Sequence, residues 1–372
     1  MTPATSLFSP DYATARERFR EAVQQLNWPL ESHPIPGQGP NGEDLTIDVA
    51  VSPCQPDIHG REPEPSQTLV LSSGLHGVEG YFGSAVQLAF LEQKAADLRG
   101  MRCLLIHALN PHGFAWNRRF DADNIDPNRN FLLRGEEYSG CPEHYPLFNS
   151  FLNPQSSPPK WEFFYLHALR YILRYGMPAL RQAIAGGQYE YPQGLFFGGH
   201  GPSQTQLIVD QHMRHWIGNS RMVMHLDFHT GLGKWGTCKL LMESELTSED
   251  REQVTRWFGE DAYEEPQSTT IAYQTRGGWG TWCTEQNFAA NYTYACAEFG
   301  TYNPVKMLAG LRAENQAHHW SRPAAPEREQ TRQHLRELFC PASPQWQQTV
   351  IDRSLQLIDQ ALNGLASERL YG

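Results

Sequence analysis

His76 and Glu79 stand three residues apart in the stretch Ser73-Gly74-Leu75-His76-Gly77-Val78-Glu79-Gly80. Gln67 to Ser72 reads as a strand feeding straight into this turn, and a helix-like run follows it. The spacing can aim an imidazole and a carboxylate at one point. A mono-zinc hydrolase needs two such ligands close together and a third from elsewhere in the chain. The pair alone is a weak signal, since a chain of this length should hold on the order of one H-x-x-E by chance. Its place after a buried strand strengthens it, because α/β sites gather at the carboxyl ends of strands.

His229 is the best third ligand. It follows the apolar strand Met222-Val-Met-His-Leu-Asp-Phe228 and opens the turn Thr230-Gly231-Leu232-Gly233. His225 is its rival, but lies inside the apolar run and reads better as a core histidine. Asp227, two residues before His229, shares its face of a strand and can back it or touch substrate.

Asn124-Ile-Asp126-Pro-Asn128-Arg129-Asn130-Phe131 is the second informative stretch. It is either a polar turn or a grip: Arg129 with Asn128 can hold a carboxylate by charge-assisted hydrogen bonds. Arg118 and Arg119 lie just upstream, and one of them can stabilise an oxyanion. Glu298 closes the run Tyr294-Ala-Cys-Ala-Glu298. A carboxylate there is costly unless paired or functional. Partial desolvation would raise its pKa and suit it to general-base work, and the rival reading is a cap for the following turn.

His212 and His215 share a helix at spacing three, but Gln211 and Arg214 beside them indicate a solvated face. No H-E-x-x-H, Walker-type loop or G-x-S-x-G occurs. The seven cysteines are scattered, odd in number and without a C-x-x-C pair, which argues against a disulfide framework and a thiolate zinc site.

These residues need a framework. Leu45 to Val51, Thr68 to Ser72, Cys103 to His107, Met222 to Phe228, Thr237 to Met242, Thr269 to Gln274 and Tyr292 to Phe299 read as strands. Tyr12 to Leu26, Phe82 to Leu98, Trp161 to Ala185 (broken at Pro178), Gln204 to Asn219 and three segments after Val305 read as helices. The strand–helix–strand order around His76 implies a parallel pair with a crossover helix. Glu31 to Pro65 otherwise reads as loops, as do Asn110 to Gly140 and Gln188 to Ser203. No linker divides the 372 residues, so one α/β domain with its core about 40–320 is the simplest organisation. A net charge of −11 disfavours nucleic acid and anionic membranes as partners. With no signal-like start and no long apolar span, a cytoplasmic protein is expected.

The ordered set His76-x-x-Glu79, Asn110-Pro111-x-Gly113, Arg119, Asp126-x-Asn128-Arg129-Asn130-Phe131, His229 and Glu298 resembles the zinc metallocarboxypeptidases of the carboxypeptidase A type. That superfamily includes aspartoacylase and succinylglutamate desuccinylase relatives, and the Phe-His229-Thr-Gly and Glu298-Phe-Gly-Thr forms resemble a bacterial branch of it. The similarity spans roughly Thr68 to Tyr302. It implies a three-layer α/β fold with a mixed, mostly parallel eight-stranded sheet. It also implies one zinc ion on His76, Glu79 and His229, Glu298 as general base, and Arg119 (or Arg118) as the carbonyl-polarising arginine. Asn128 and Arg129 would hold the substrate carboxylate. The substrate-facing tyrosine of the family has three candidates here, Tyr273, Tyr292 and Tyr302. The expected activity is amide cleavage beside a free carboxylate in a small peptide. The rivals are a deacylase of small N-acyl amino acids and a catalytically silent metal-binding protein.

Overall fold

The computed structural model describes residues 3–53, 67–98, 100–159, 163–176, 186–266 and 276–368. Eight strands make one sheet: β1 (Leu30–Gln38), β2 (Asp44–Val51), β3 (Gln67–Ser73), β4 (Arg102–His107), β5 (Met222–Thr230), β6 (Cys238–Leu241), β7 (Tyr263–Glu264) and β8 (Asn291–Phe299). Their order across the sheet is β1-β2-β4-β3-β5-β8-β6-β7. β4, β3, β5 and β8 form a parallel centre, β1 and β2 extend one side by antiparallel pairing, and β6 pairs antiparallel with β8. The expected mixed, mostly parallel eight-stranded sheet is present.

Every residue of β3 is buried, as a strand covered on both faces requires. Leu69 and Leu71 enter one apolar layer with residues of α1 (Tyr12–Gln25), α2 (Gly80–Gln93) and the last helix, Pro344–Glu368. Val70 enters the opposite layer with Val209, Met213 and Trp216 of the helix Gln204–Ile217 and with Trp279 and Trp282. The alternation of side chains along a strand thus builds two cores from one sheet. Helix starts follow the side chains that can satisfy free N–H groups. Asp11 accepts from Thr14 N–H, Ser203 from Gln206 N–H, and Asn303 from Lys306 N–H ahead of Pro304.

Among the described residues the remaining α-helices are, in chain order, α3 (Pro111–Ala115), α4 (Tyr145–Leu152), α5 (Phe164–Tyr175), α6 (Gln204–Ile217), α7 (Ser248–Phe258), α8 (Trp279–Glu285), α9 (Pro304–Trp320), α10 (Pro326–Phe339) and α11 (Pro344–Glu368). Strand β1 is absent from the sequence reading because Pro34 and Pro36 argue against a strand. It is tolerated as the sheet's edge, with β2 its one neighbour and an irregular register between Pro34 and Gln38. Helices α3, α4, α7 and α8 are also absent from that reading, α3 lying in the segment read as loop, and α2 stops at Gln93, short of Leu98. The expected strand Thr269 to Gln274 and the end of the helix expected to reach Ala185 lie outside the described residues. No described helix is long and apolar enough to cross a membrane.

His107 closes β4 fully buried, stacked on Phe19 with ring centroids 4.5 Å apart and hydrogen-bonded to Ser84 at 2.9 Å. Burial pushes its pKa down to about 4 from the ordinary 6.5. A histidine depressed in the folded state leaves stability intact above its unfolded pKa and loses it as pH falls toward the folded one. Between pH 6.5 and about 4 this group should therefore remove roughly 3 kcal/mol. In melting curves across that window, His107→Gln should flatten the acid loss relative to the parent chain.

Candidate metal centre

The centre forms where the chain switches direction across the sheet. From β3 the chain runs to β4 on one side, and β5 then pairs on the other. Ligands in open α/β sheets bind at such a switch point, beyond the carboxyl ends of the strands. Gly74 makes the turn after β3 with φ +65°, where a Cβ would stand 3.0 Å from that of Ala108. The loop is then held by the backbone of the arginine pair. Gly77 N–H donates to the Arg119 carbonyl and Val78 N–H to that of Arg118. A Cβ on Gly77 would lie 2.2 Å from the Gly113 backbone, so this close approach also requires glycine.

His76, Glu79 and His229 come together there, all buried. His76 Nδ1 lies 2.9 Å from Glu79 Oε1 and 3.2 Å from His229 Nδ1. His229 Nδ1 lies 3.0 Å from Glu79 Oε2. One donor atom from each residue falls within 4.8 Å of the other two. Two imidazole nitrogens that close cannot both present lone pairs to each other; a proton or a cation must sit among them. Charge balance reflects this. Against burial, which alone would raise it, His76 and His229 hold the Glu79 carboxyl below its ordinary range. Against burial, which alone would lower it, Asp227 and Glu79 hold His229 well above the usual imidazole range.

Each imidazole is backed on its far nitrogen. His229 Nε2 meets Asp227 Oδ2 at 2.6 Å, and Asp227 also accepts from Ser72 Oγ at 2.6 Å and Tyr294 OH at 3.0 Å. His76 Nε2 lies 3.4 Å from Asp126 Oδ1 and 2.6 Å from Arg119 Nη2. A carboxylate behind a ligating imidazole fixes the ring and raises its basicity. The donor set, with Asp227 backing His229, fits a divalent cation held by His76, Glu79 and His229.

Arg119 and Arg118 part company. Arg119 Nε donates to Asp126 Oδ2 at 2.9 Å, and its Nη1 stands 3.8 Å from Glu79 Oε1. Arg118 points away, fully buried, to Glu314 of α9 at 2.8 Å, with Asn124 and Asn315 accepting from its Nη2. Arg119 is the arginine at the centre, and Arg118 braces the fold.

Glu298 on β8 is the register partner of His229 on β5. Its carboxylate, with His229 and Cys296, makes a second set of donor atoms within 4.8 Å of one another. Oε1 accepts from Leu232 N–H at 2.7 Å, while Oε2 has only a long contact from the Cys296 thiol at 3.9 Å. Burial, and then the nearby Glu79 charge, raise the Glu298 pKa to about 7.

Asn128 and Arg129 lie on a short turn, Pro127–Arg129, started by the Asp126 side chain. Asn128 Oδ1 accepts from Trp279 N–H, which leaves its Nδ2 as a donor. Arg129 is buried, donates through Nη1 to the Asn128 carbonyl, and has no hydrogen-bond partner for Nε. Beside it opens a cavity of about 640 Å³ lined by Gly187, Tyr189, Glu243, Arg276 and Thr281, among others. Of the tyrosine candidates, Tyr292 bonds to His225 at 2.8 Å and Tyr302 to Glu337 at 2.7 Å, while Tyr273 lies outside the described residues. His225 is a core histidine, as expected, bonded also to Ser72.

Two residues were given no role by the sequence reading, although Asp126 stood in its motif. Asp126 links His76 to Arg119; its signal was its place in the Asp126-x-Asn-Arg motif. Glu243 lines the cavity, accepts from Gly280 and Thr281 N–H at the start of α8, and has its pKa raised by burial. Its signal was a carboxylate directly after an apolar strand.

The family model described as "Protein of unknown function (DUF2817)" matches residues 8–353, and the chain belongs to that family. No match was found among curated proteins. Among solved structures, the chain is similar to bovine thrombin-activatable fibrinolysis inhibitor in complex with tick carboxypeptidase inhibitor, at 12% identity over 94% of this chain and 97% of that one, with a TM-score of 0.46. It is also similar to carboxypeptidase A from Helicoverpa armigera, at 9% identity over 88% of this chain and 73% of that one, TM-score 0.45. A third similar structure is murein-tripeptide amidase MpaA from Escherichia coli O157, at 15% identity over 79% and 93%, TM-score 0.36.

If the centre holds a divalent cation, Asp227→Asn should weaken its binding about 10–100-fold in a chelator competition while the circular dichroism spectrum stays unchanged. Arg118→Met should instead destabilise the chain by roughly 3–5 kcal/mol in denaturant unfolding, because Glu314 is left buried and unpaired, with zinc affinity preserved.

Proposed function

We propose that this chain is a zinc-dependent hydrolase that cleaves an amide bond next to a free carboxylate, in the manner of a carboxypeptidase. The observation that carries the reading is the convergence of His76, Glu79 and His229 with Glu298 directly alongside. Two imidazoles and a carboxylate are a zinc donor set that leaves a coordination position open. Zinc held there supplies Lewis acidity, which brings the pKa of a water molecule toward neutrality and polarises a carbonyl oxygen.

The remaining work falls to this chain's own groups. Glu298, with a pKa of about 7, is balanced to take a proton from the attacking water and return it to the leaving amine nitrogen. Leu232 N–H fixes one of its oxygens, so the proton travels on the other. Arg119, locked by Asp126, donates to the carbonyl oxygen as negative charge builds on it. Arg129 and the Asn128 amide hold the substrate carboxylate and so set its distance from the scissile bond. The substrate is a small peptide or acyl-amino acid.

Glu298→Gln should retain zinc and lose turnover by about 100-fold or more. An active Glu298→Gln enzyme would remove the base from the mechanism. A panel of dansylated peptides, their C-terminally amidated forms and N-acyl amino acids separates the outcomes. A carboxypeptidase cleaves the first set alone, and a deacylase the last. Zinc-loaded protein that turns over none of them would defeat the hydrolase reading. Arg129→Met should raise KM for the free-carboxylate peptide far more than it lowers kcat.

A further inference from the structure

A second group of metal-type ligands lies at one edge of the sheet, on β1. Glu31 and His33 project from the same face of β1, two residues apart, and His212 reaches them from α6. One donor atom from each lies within 4.8 Å of the other two, and all three residues are partly exposed. His33 Nε2 is 3.1 Å from Glu31 Oε2, and the His33 and His212 ring centroids are 4.4 Å apart. β1 stands four strand positions from β5, so this group is roughly 19 Å from the first centre at about 4.8 Å per strand.

The group is pre-arranged by its surroundings. Trp216 Nε1 donates to Glu31 Oε2 at 3.0 Å, which orients the carboxylate. The His212 ring stacks on the Trp216 indole, 5.6 Å between centroids and 14° between planes. His215, one turn along α6, places Nε2 4.0 Å from Glu31 Oε1 on a largely exposed side chain. The expected solvated face thus holds for His215, whereas His212 turns toward the sheet.

We propose that Glu31, His33 and His212 form a second divalent-cation site of zinc type. Nitrogen and carboxylate donors in that number suit zinc, with nickel or copper as chemical rivals. An ion there would clasp the edge strand β1 to α6. The two elements are joined by side chains alone, since β1 makes its ladder with β2. The site is independent of the hydrolase reading.

The experiment is equilibrium dialysis of the full chain against micromolar free zinc, with bound metal counted by mass spectrometry. The double variant His33→Gln/His212→Gln should bind one ion fewer than the parent chain and lose the zinc-dependent part of its thermal shift, with peptide turnover unchanged. His229→Ala should keep the ion that the double variant loses. If the double variant folds poorly, Glu31→Gln provides the second reading, with weakened binding of that same ion expected. Equal stoichiometry in the parent chain and the double variant, or unaltered binding of that ion in Glu31→Gln, overturns the proposal. A parent chain that binds one ion and a double variant that binds none would support this site and contradict the first.

Discussion

Glu79 holds the centre together. Its two oxygens face two different imidazoles, one from its own loop and one from the far side of β5. A buried carboxylate is expensive unless its charge is answered, and here positive charge is required among three converging side chains. The geometry of β3 and β5, side by side and parallel with Ser73 paired to Phe228, places the two loops where that meeting happens. The remaining polar features follow from it. Asp227 and Asp126 back the two rings, and Thr230 N–H binds the second Glu79 oxygen.

Adjacent arginines divide the labour. The carbonyls of Arg118 and Arg119 anchor the ligand loop through Val78 and Gly77, while their side chains leave in opposite directions. One secures α9 through Glu314; the other joins Asp126 at the centre. The loop that presents His76 is therefore tied to the same dipeptide that supplies the candidate oxyanion arm.

The parallel centre of the sheet was legible in the sequence because β3, β4, β5 and β8 are continuous apolar runs bounded by turns. The convergence of His76, Glu79 and His229 could be anticipated because the first two lie in the turn after β3 and the third stands near the end of β5. Strand β1 was not, since its two prolines are acceptable only at an edge, and edge position is a property of the assembled sheet. The choice between Arg118 and Arg119 was equally hidden. It depends on Glu314, nearly two hundred residues away, which no local pattern reveals. The pairing of His212 with His33 was missed for the same reason: residues that read as solvent-facing on a helix met an edge strand that the sequence did not announce.

The order in which the sheet is threaded has a consequence for how the chain comes into being. His76 and His229 are 153 residues apart, and β5 inserts between β3 and β8, not at the sheet's rim. During synthesis β3 must wait with one hydrogen-bonding edge open until β5 emerges. Such long-range pairing is slow and exposes an aggregation-prone edge meanwhile. A ribosome-bound fragment ending before β5 would own half of the candidate centre and an unclosed sheet, so the three donor side chains cannot meet until His229 has emerged.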